Sequence, residues 1–412
     1  MRVRLRHVAA VNPSTPEFDR LPRNVEVPFL PLEAIWPGER LDVTRHRPWA
    51  ELSVGYTRFK EGDILVPKIT PTFQSDRTVI ARGLEGGIGA GTTELHIVRA
   101  GSGADTGYLR YLLSSKPFLD EGEASMIGVA GQKRVPDDCL RDLSVPVADV
   151  QQQRAIADYL DTETARIDAL INAERRLHNI AVERLAALSQ ALVLGREDKD
   201  PRQNGADGIL QPVPTHWIMR RNKTFLQESL DLTYTGDEEL LTVSHITGVT
   251  PRAEKDVTMF LAESNVGYKR VRPMELVVNT MWAWMGALGV SDHVGIVSPA
   301  YGVYRFTDDA AIPSYFDALF RSRAYVTEMT RYSKGVWTSR LRLYPDALLA
   351  LRSPFPPPRE QRKIAVRLCE LRQETERLSS LLERSVDLLI EHRQALITAA
   401  VTGQLDIPGV AA

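Results

Sequence analysis

Apolar residues recur along two stretches of this chain at steps of three and four, the spacing that lines one face of an α-helix. In the first stretch they are Ile156, Leu160, Ile167, Leu170, Leu177, Ala181 and Leu188; in the second, Ile364, Leu368, Leu371, Leu378, Leu382, Leu389 and Leu396. Ile171, Leu185 and Leu192, then Leu381, Leu388 and Ile397, widen each stripe beyond a two-per-heptad seam. Glu174 and His392 fall on seam positions and weaken them locally. Each pattern predicts a helix roughly 60–65 Å long, at about 1.5 Å per residue. Such a helix cannot leave its stripe in water, so it needs a partner. Punctuation agrees with both spans. Pro356-Pro357-Pro358 precedes the second helix, Val145-Pro146 and the N-cap candidate Asp149 precede the first, and Gly195 and Gly403 stand where helices end.

The two stretches are copies of one another. Gln153-Arg154-Ala155-Ile156-Ala157 returns as Gln361-Arg362-Lys363-Ile364-Ala365, an offset of 208 (153 to 361). Glu183, Ala187-Leu188, Ala191, Val193 and Gly195 return as Glu391, Ala395-Leu396, Ala399, Val401 and Gly403. Solenoid repeats run to about 20–50 residues, so this period instead implies two halves, each a globular unit followed by a long helix. Antiparallel pairing of the helices is the simpler connection, because a parallel pair needs a long return. It gives two heads on a two-helix rod with approximate two-fold symmetry.

The heads echo one another more faintly. Gly62-Asp-Ile-Leu-Val-Pro-Lys resembles Met274-Glu-Leu-Val-Val-Asn-Thr, an acidic residue ahead of a short apolar strand. Tyr108-Leu-Arg-Tyr-Leu-Leu-Ser-Ser resembles Tyr315-Phe-Asp-Ala-Leu-Phe-Arg-Ser, and Ile127-Gly-Val is matched by Lys334-Gly-Val. Each head reads as short strands and turns with one or two short helices, an α+β unit. Diverged surfaces on one scaffold suggest two sites that read different things.

Composition narrows the class without naming it. A hydrophobic fraction of 43% and a charged fraction of 25% over 412 residues describe a globular chain with room for two or three domains. Met1-Arg-Val-Arg-Leu-Arg runs into polar sequence without the apolar stretch of a signal peptide, and no run of 18 apolar residues predicts a membrane span. Cys139 and Cys369 lie far apart, within or beside apolar patterns, and are read as reduced, buried thiols of a cytoplasmic protein rather than a disulfide. A net charge of −2 neither supports nor excludes a polyanionic partner.

Catalytic motifs are missing. Gly86-Gly-Ile-Gly-Ala-Gly91 has the glycines of a nucleotide loop, but Thr92-Thr-Glu-Leu-His-Ile-Val-Arg alternates like a strand where a helix should follow; a tight loop is the better reading. No phosphate-binding loop, metal-ligand spacing or paired-carboxylate motif stands out. Ser353-Pro-Phe-Pro-Pro-Pro is helix punctuation, not the Asn/Asp-Pro-Pro-aromatic signature of amino-methyltransferases.

Head, helix opening on Pro357-Pro358-Arg359-Glu360-Gln361-Arg362-Lys363-Ile364, and helix closing on Ala399-Ala400-Val401-Thr402-Gly403-Gln404-Leu405: this order of parts resembles the DNA-specificity subunit of a type I restriction-modification system. The first copy departs at 149–153, which lacks the Pro-Pro pair and the Glu, and at Leu194-Gly195, which lacks the Thr. The resemblance covers essentially the whole chain. It implies target-recognition domains at 1–147 and 213–355, helices at 148–195 and 356–403, a linker at 196–212 and a tail at 404–412. It further implies that each head reads one half of a bipartite asymmetric site in double-stranded DNA while the antiparallel coiled coil, pseudo-two-fold symmetric, sets the gap. DNA adenine methyltransferase (modification) subunits would grip the helices, and motor/endonuclease (restriction) subunits would join them. On that resemblance no cofactor is bound by this chain; S-adenosylmethionine, ATP and Mg belong to the partner subunits.

DNA reading needs cations for phosphates and polar side chains for base edges. In the second head, Arg321, Arg323, Arg331, Lys334, Arg340 and Arg342 face a single acid, Glu328, with Tyr325, Tyr332 and Trp337 interleaved, around a turn at Gly335. The first head has Gln132, Lys133 and Arg134 at its turn, with Asp120, Glu121 and Glu123 upstream, and a polar loop carrying Lys68, Thr70, Thr72, Gln74 and Arg77. Asn279, Thr280, Trp282 and Trp284 form the corresponding loop of the second. An arginine run is equally a solvated face, and Trp282 and Trp284 alternate as on one face of a strand, which favours packing over stacking on bases. Two other functional classes stand behind this reading: a non-enzymatic coiled-coil adaptor whose heads bind proteins, and an enzyme of unrecognised type.

Overall fold

The computed structural model describes residues 2–38, 40–129, 131–146, 148–196, 202–203 (backbone), 209–254, 264–335 and 341–408. The chain is α+β, with two head domains joined by two long helices. It divides into two compact units, residues 1–176 with 382–412, and residues 177–381. The first long helix, Val150–Val193, and the second, Pro358–Val401, each begin in one unit and end in the other.

In the first unit a four-stranded antiparallel sheet runs Ala9–Val11, Leu95–Ala100, Ile64–Pro67, Val79–Ile80. Ile64–Pro67 is an unbroken buried run, as expected of a strand covered on both faces. Asp63, at its head, is buried and forms a two-bond ion pair with Arg99 (2.7 and 2.8 Å), the arrangement that makes a buried charge tolerable. A second sheet, His46–Pro48, Glu26–Leu30, Ile88–Gly91, Thr57–Lys60, lies in the same head. Three short helices follow, Thr106–Leu112, Lys116–Ala124 and Asp137–Asp142.

The second unit repeats this plan. Its four-stranded sheet runs Leu226–Glu228, Gly302–Phe306, Leu276–Val278, Leu288–Val290, in the same order and antiparallel throughout. Buried Glu275 stands in for Asp63 and accepts from Arg305 at 2.6 Å. The helices Pro313–Arg321, Arg323–Tyr332 and Pro345–Ala350 take the places of the first three.

Each long helix is fastened at its start by one buried glutamine. Gln153 accepts from the backbone N–H of Asp105 (2.8 Å) and donates to the carbonyls of Gly103 and Ala148. Gln361 accepts from Ile312 (2.8 Å) and donates to Ala310 and Pro356 (3.0 and 2.7 Å). The ends are fastened by tyrosines: Tyr108 donates to the carbonyl of Val401 in the first unit, and Tyr315 to that of Val193 in the second. Burial pushes the Tyr108 phenol up to about 12, so it stays a donor. Gly195 and Gly403 both close the helices at positive φ, with the next residue's N–H returning to Ala191 and Ala399. Asp149 caps the first helix, accepting from Gln152 N–H at 2.8 Å.

The helices run antiparallel within each unit. In the first, Glu174 accepts from Ser385 and Asp168 pairs with Arg393, so numbers rise on one helix as they fall on the other. Ile156, Ala157 and Leu160 share a core with Ile397, Ala400 and Val401. In the second, Val193 and Leu194 share a core with Leu368.

Four expectations change. The cysteines are not both buried: Cys139 is half-buried and Cys369, on the outward side of its helix, is exposed. Leu170 and Leu177 are not seam residues: they are 53% and 46% exposed, while Ile171 is buried and Glu174 and His178 are half-buried. Likewise Ser379 is half-buried while Leu378 and Leu381 face out. A helix advancing 3.6 residues per turn drifts off a 3.5-residue seam, and the inward face has moved by one position. Trp282 and Trp284 are not on a strand, which stops at Val278; they flank Ala283 in a turn that opens a single helical turn, Ala283–Met285. The glycine-rich segment is only partly a loop: Ile88–Gly91 is a strand, with Phe59 and Leu30 so close that a Cβ on Gly89 or Gly91 would meet them at 2.6 Å. The linker lies mostly outside the described residues; of its described part, Arg202–Gln203 pairs with Val213–Pro214.

Replacing Gln361 by Ala takes away the partner of three backbone groups, one buried and two part-buried. We expect a loss of about 2–4 kcal/mol in urea-induced unfolding, with increased amide exchange at Ile312. A change under about 0.5 kcal/mol would show that the clamp is not what fastens this helix.

Candidate nucleic-acid interface

In the first unit the strand Ile64–Pro67 runs on into Lys68, Ile69 and Thr70, and a hairpin folds back against it. The hairpin is closed by reciprocal bonds between Ile127 and Arg134 (3.0 and 2.9 Å). Its base is tied to the strand's extension: Val135 N–H donates to Lys68 (2.8 Å) and Thr70 N–H to Lys133 (3.0 Å). Five of the candidate residues, Lys68, Thr70, Gln132, Lys133 and Arg134, therefore come together. Gln132 and Lys133 are exposed. Lys68 lines an open cleft of about 450 Å³ with Asn12, Tyr56, Arg58 and Asp137.

Arg134 is committed elsewhere. It forms a two-bond ion pair with Glu94, both bonds 2.8 Å. The guanidinium holds the Glu94 carboxyl below the usual carboxylate range, chiefly through the hydrogen bond. Gln74 and Arg77 leave the group: Gln74 donates to Glu123 (2.9 Å) and half-buried Arg77 to the carbonyl of Ile35 (3.3 Å). What the sequence did not reveal is the exposure of Ile127 and Val129 on the hairpin, 69% and 74%.

The second unit has the same construction. Lys334 and Arg342 close a hairpin by reciprocal 2.9 Å bonds, and Leu343 N–H donates to Thr280 (2.9 Å) as Val135 does to Lys68. Arg342 Nε donates to Thr280 Oγ1 (3.3 Å) and its guanidinium lies over Tyr344. Arg331 pairs with Glu328 at 3.0 Å, and Tyr332 is exposed. Trp337 and Arg340 lie outside the described residues. The basic run does not act as one face: Arg321 turns back to the carbonyl of Ile246 (2.7 Å), while Lys334 and Arg342 stand at the hairpin. Asn279 donates to Tyr301 Oη (3.0 Å) and is structural.

Each unit thus presents a strand extension and a hairpin bearing cations, at topologically equal positions with different side chains. Among the described residues no group of three His, Cys, Asp or Glu is placed to hold a metal, and no helix is long and apolar enough to cross a membrane.

Known proteins resemble this chain over part of its sequence and in its fold. A 162-residue stretch is 36% identical to the type I restriction enzyme EcoEI specificity subunit of Escherichia coli, covering 38% of this chain and 26% of that protein. A 156-residue stretch is 36% identical to the EcoAI specificity subunit of the same organism, covering 37% and 26%. The chain is similar to type I specificity subunits. The matched stretches span about a quarter of those relatives. In fold the likeness extends over nearly all of the chain. The HsdS subunit of Thermoanaerobacter tengcongensis superposes with a TM-score of 0.57 at 17% identity, over 98% of this chain and 97% of that one. A chain from a structure describing complex assembly and conformational transition of the type I R-M system gives 0.69 at 17% identity, over 98% of both. No protein-family model matches.

The hairpin base of the first unit should respond to pH. His96 is buried; its Nε2–H donates to Val135 (2.8 Å), and Nδ1 faces the Asn12 amide at 3.4 Å and Asp137 at 3.3 Å. Burial holds its pKa below 6.5, the hydrogen bond to Val135 and the Asp137 charge acting in the opposite direction. As pH falls below about 6.5 the unfolded chain takes up the proton first, so stability present above that pH is lost. Urea midpoints at pH 7.5 and 5.5 should separate more for the native chain than for His96→Gln. Equal separation would remove His96 from the pH response.

Proposed function

We propose that this chain is the DNA-specificity subunit of a type I restriction-modification complex, in which each head takes one half of a bipartite asymmetric DNA site and the two helices set the gap between halves. The observation that carries this reading is the repetition of one head architecture with different side chains at the same strand extension and hairpin. One scaffold with two diverged loop sets suits an asymmetric split site. Cations at the hairpins (Lys68 and Lys133; Lys334 and Arg342) would meet phosphates, and neighbouring polar side chains the base edges. The similarity to type I specificity subunits supports it.

Methyl transfer and any ATP-driven cleavage would belong to partner subunits, which would carry S-adenosylmethionine, ATP and Mg. The helices offer those partners apolar ground. Leu170 and Leu388 in the first unit, and Leu177, Ile180, Leu378 and Leu381 in the second, are exposed on helices whose inward faces are already filled. Methyltransferase subunits are the occupants this reading assigns to them.

Co-expression with a cognate methyltransferase in a methylation-free host, followed by mapping of modified adenines, should return one split motif with a fixed gap. An unsplit motif, or no modification, would sink the reading. Insertion of four residues, about one helical turn, into one long helix should alter the gap and spare both half-sequences. Altered half-sequences with an unchanged gap would refute the spacer role of the helices.

A further inference from the structure

The second unit exposes an aromatic side chain that its own fold does not require. Strand Leu276–Val278 ends at buried Asn279 and Thr280, and the chain then turns outward through Met281 and Trp282 before Gly286, at φ 87°, reverses it into Leu288–Val290. Trp282 is 50% exposed, and Met281 and Met285 beside it are exposed as well. An indole left half in water next to two exposed methionines is unusual, because large apolar groups on a surface tend to cluster only where something covers them.

The support behind Trp282 is specific. Its ring stacks on that of Trp284, centroids 6.1 Å apart and planes 17° from parallel. Trp284 is in turn fixed: its Nε1–H donates to the carbonyl of Met281 (3.0 Å), and its own carbonyl accepts from Thr330 Oγ1 on helix Arg323–Tyr332. One ring is the backing and the other is presented. Around them stand Arg342, bonded to Thr280 two residues before Trp282, then Lys334 across the hairpin, and Arg331 and exposed Tyr332 at the end of the helix that carries Thr330. The acid of this neighbourhood, Glu328, is largely buried and paired with Arg331. An exposed indole on a segment bonded to a cation-bearing hairpin and helix fits a polyanion with flat apolar faces inside, which is the description of a base stack between phosphates.

We propose that Trp282 inserts into the base stack of the half-site taken by the second unit, as a wedge backed by Trp284 and flanked by Met281; this deepens the DNA-specificity reading and rests on it. Counted two residues on from Lys68 and Thr280, which accept the matching hairpin bonds, Trp282 falls at the place of Thr70 in the first unit; there a small hydroxyl stands and the N–H turns to Lys133, whereas that of Trp282 turns to Asn279. The wedge is therefore one-sided. Partial unstacking costs a few kcal/mol per step and is least costly at flexible pyrimidine–purine steps, so the wedge would add indirect readout to the second half-site alone.

The test uses the full chain, co-purified with its methyltransferase subunits, on a duplex carrying the mapped motif with 2-aminopurine substituted in turn through each half-site. Binding should raise 2-aminopurine fluorescence at one step of a single half-site and quench tryptophan emission. Trp282→Ala should abolish the rise and weaken binding on the order of tenfold, while Trp282→Phe retains part of both. Native-like affinity and an unchanged rise in Trp282→Ala overturn the wedge and leave the specificity reading standing. Normal duplex binding with impaired subunit assembly shows that Trp282 faces protein, and overturns it too. If the native complex binds no duplex, the specificity reading falls and the wedge with it.

Discussion

The clamp made by Gln153 in one unit and Gln361 in the other is the constraint on which the rest depends. A long helix attached to a head only by apolar contact can roll or slide, because dispersion and burial are not directional. A primary amide that accepts from one backbone N–H and donates to two carbonyls fixes both the angle and the register of the first turn. It is buried, so its bonds have no competition from water, and breaking any one leaves an unpaired group inside. The closing tyrosines do the same for the helix ends. Loops that present side chains to a ligand can diverge freely only if what carries them does not move, and these few bonds hold the heads to their helices.

The middle of the helices follows a different rule. The inward positions there include Glu174, His178, Thr375 and Ser379, and in the first unit Glu174 is bonded to Ser385. Polar groups on an inward face cost stability unless paired, but they limit which register is tolerated. The leucines that a tighter seam would have absorbed are turned outward. Two helices can bury only a narrow stripe, and the wide stripes of this sequence contain more apolar surface than a pair consumes. The remainder is what further helices would cover.

Much of this was legible in the sequence, and for identifiable reasons. Helix spans, caps and antiparallel sense came from periodicity, from Asp149, Gly195 and Gly403, and from an internal repeat that acted as its own alignment. The clamp was visible as the invariant Gln at the start of both copies, though its partners, backbone groups about 50 residues away, were not. The seam was misread by one position because a heptad count ignores drift. The site was half-legible. Lys68 and Lys133 were found by charge and turn chemistry, and tertiary pairing brought them together. That Arg134 is neutralised by Glu94 depends on a strand 40 residues away, which no local pattern encodes. Trp282 was taken for a strand residue because its alternation with Trp284 imitates a strand's period, and only the turn after Val278 reveals the exposed ring.

Those misreadings share a cause that bears on how the molecule works. Where the two halves fasten their helices, with Gln153 and Gln361, Tyr108 and Tyr315, Gly195 and Gly403, they kept the same residues, and reading one half predicts the other. Where they diverge, at Thr70 against Trp282 and at Arg134 paired with Glu94 against Arg342 bonded to Thr280, each choice is intelligible only in its own head. On the proposed function, a duplicated scaffold takes an asymmetric site only by losing symmetry at the surface while keeping it in the core. The hairpins satisfy both demands. Their backbone bonds, Val135 to Lys68 and Leu343 to Thr280, are indifferent to side-chain identity, so substitution there alters what is presented without altering where. Backbone hydrogen bonding thus separates where a side chain is presented from which side chain it is, so that the surface can change without refolding the protein.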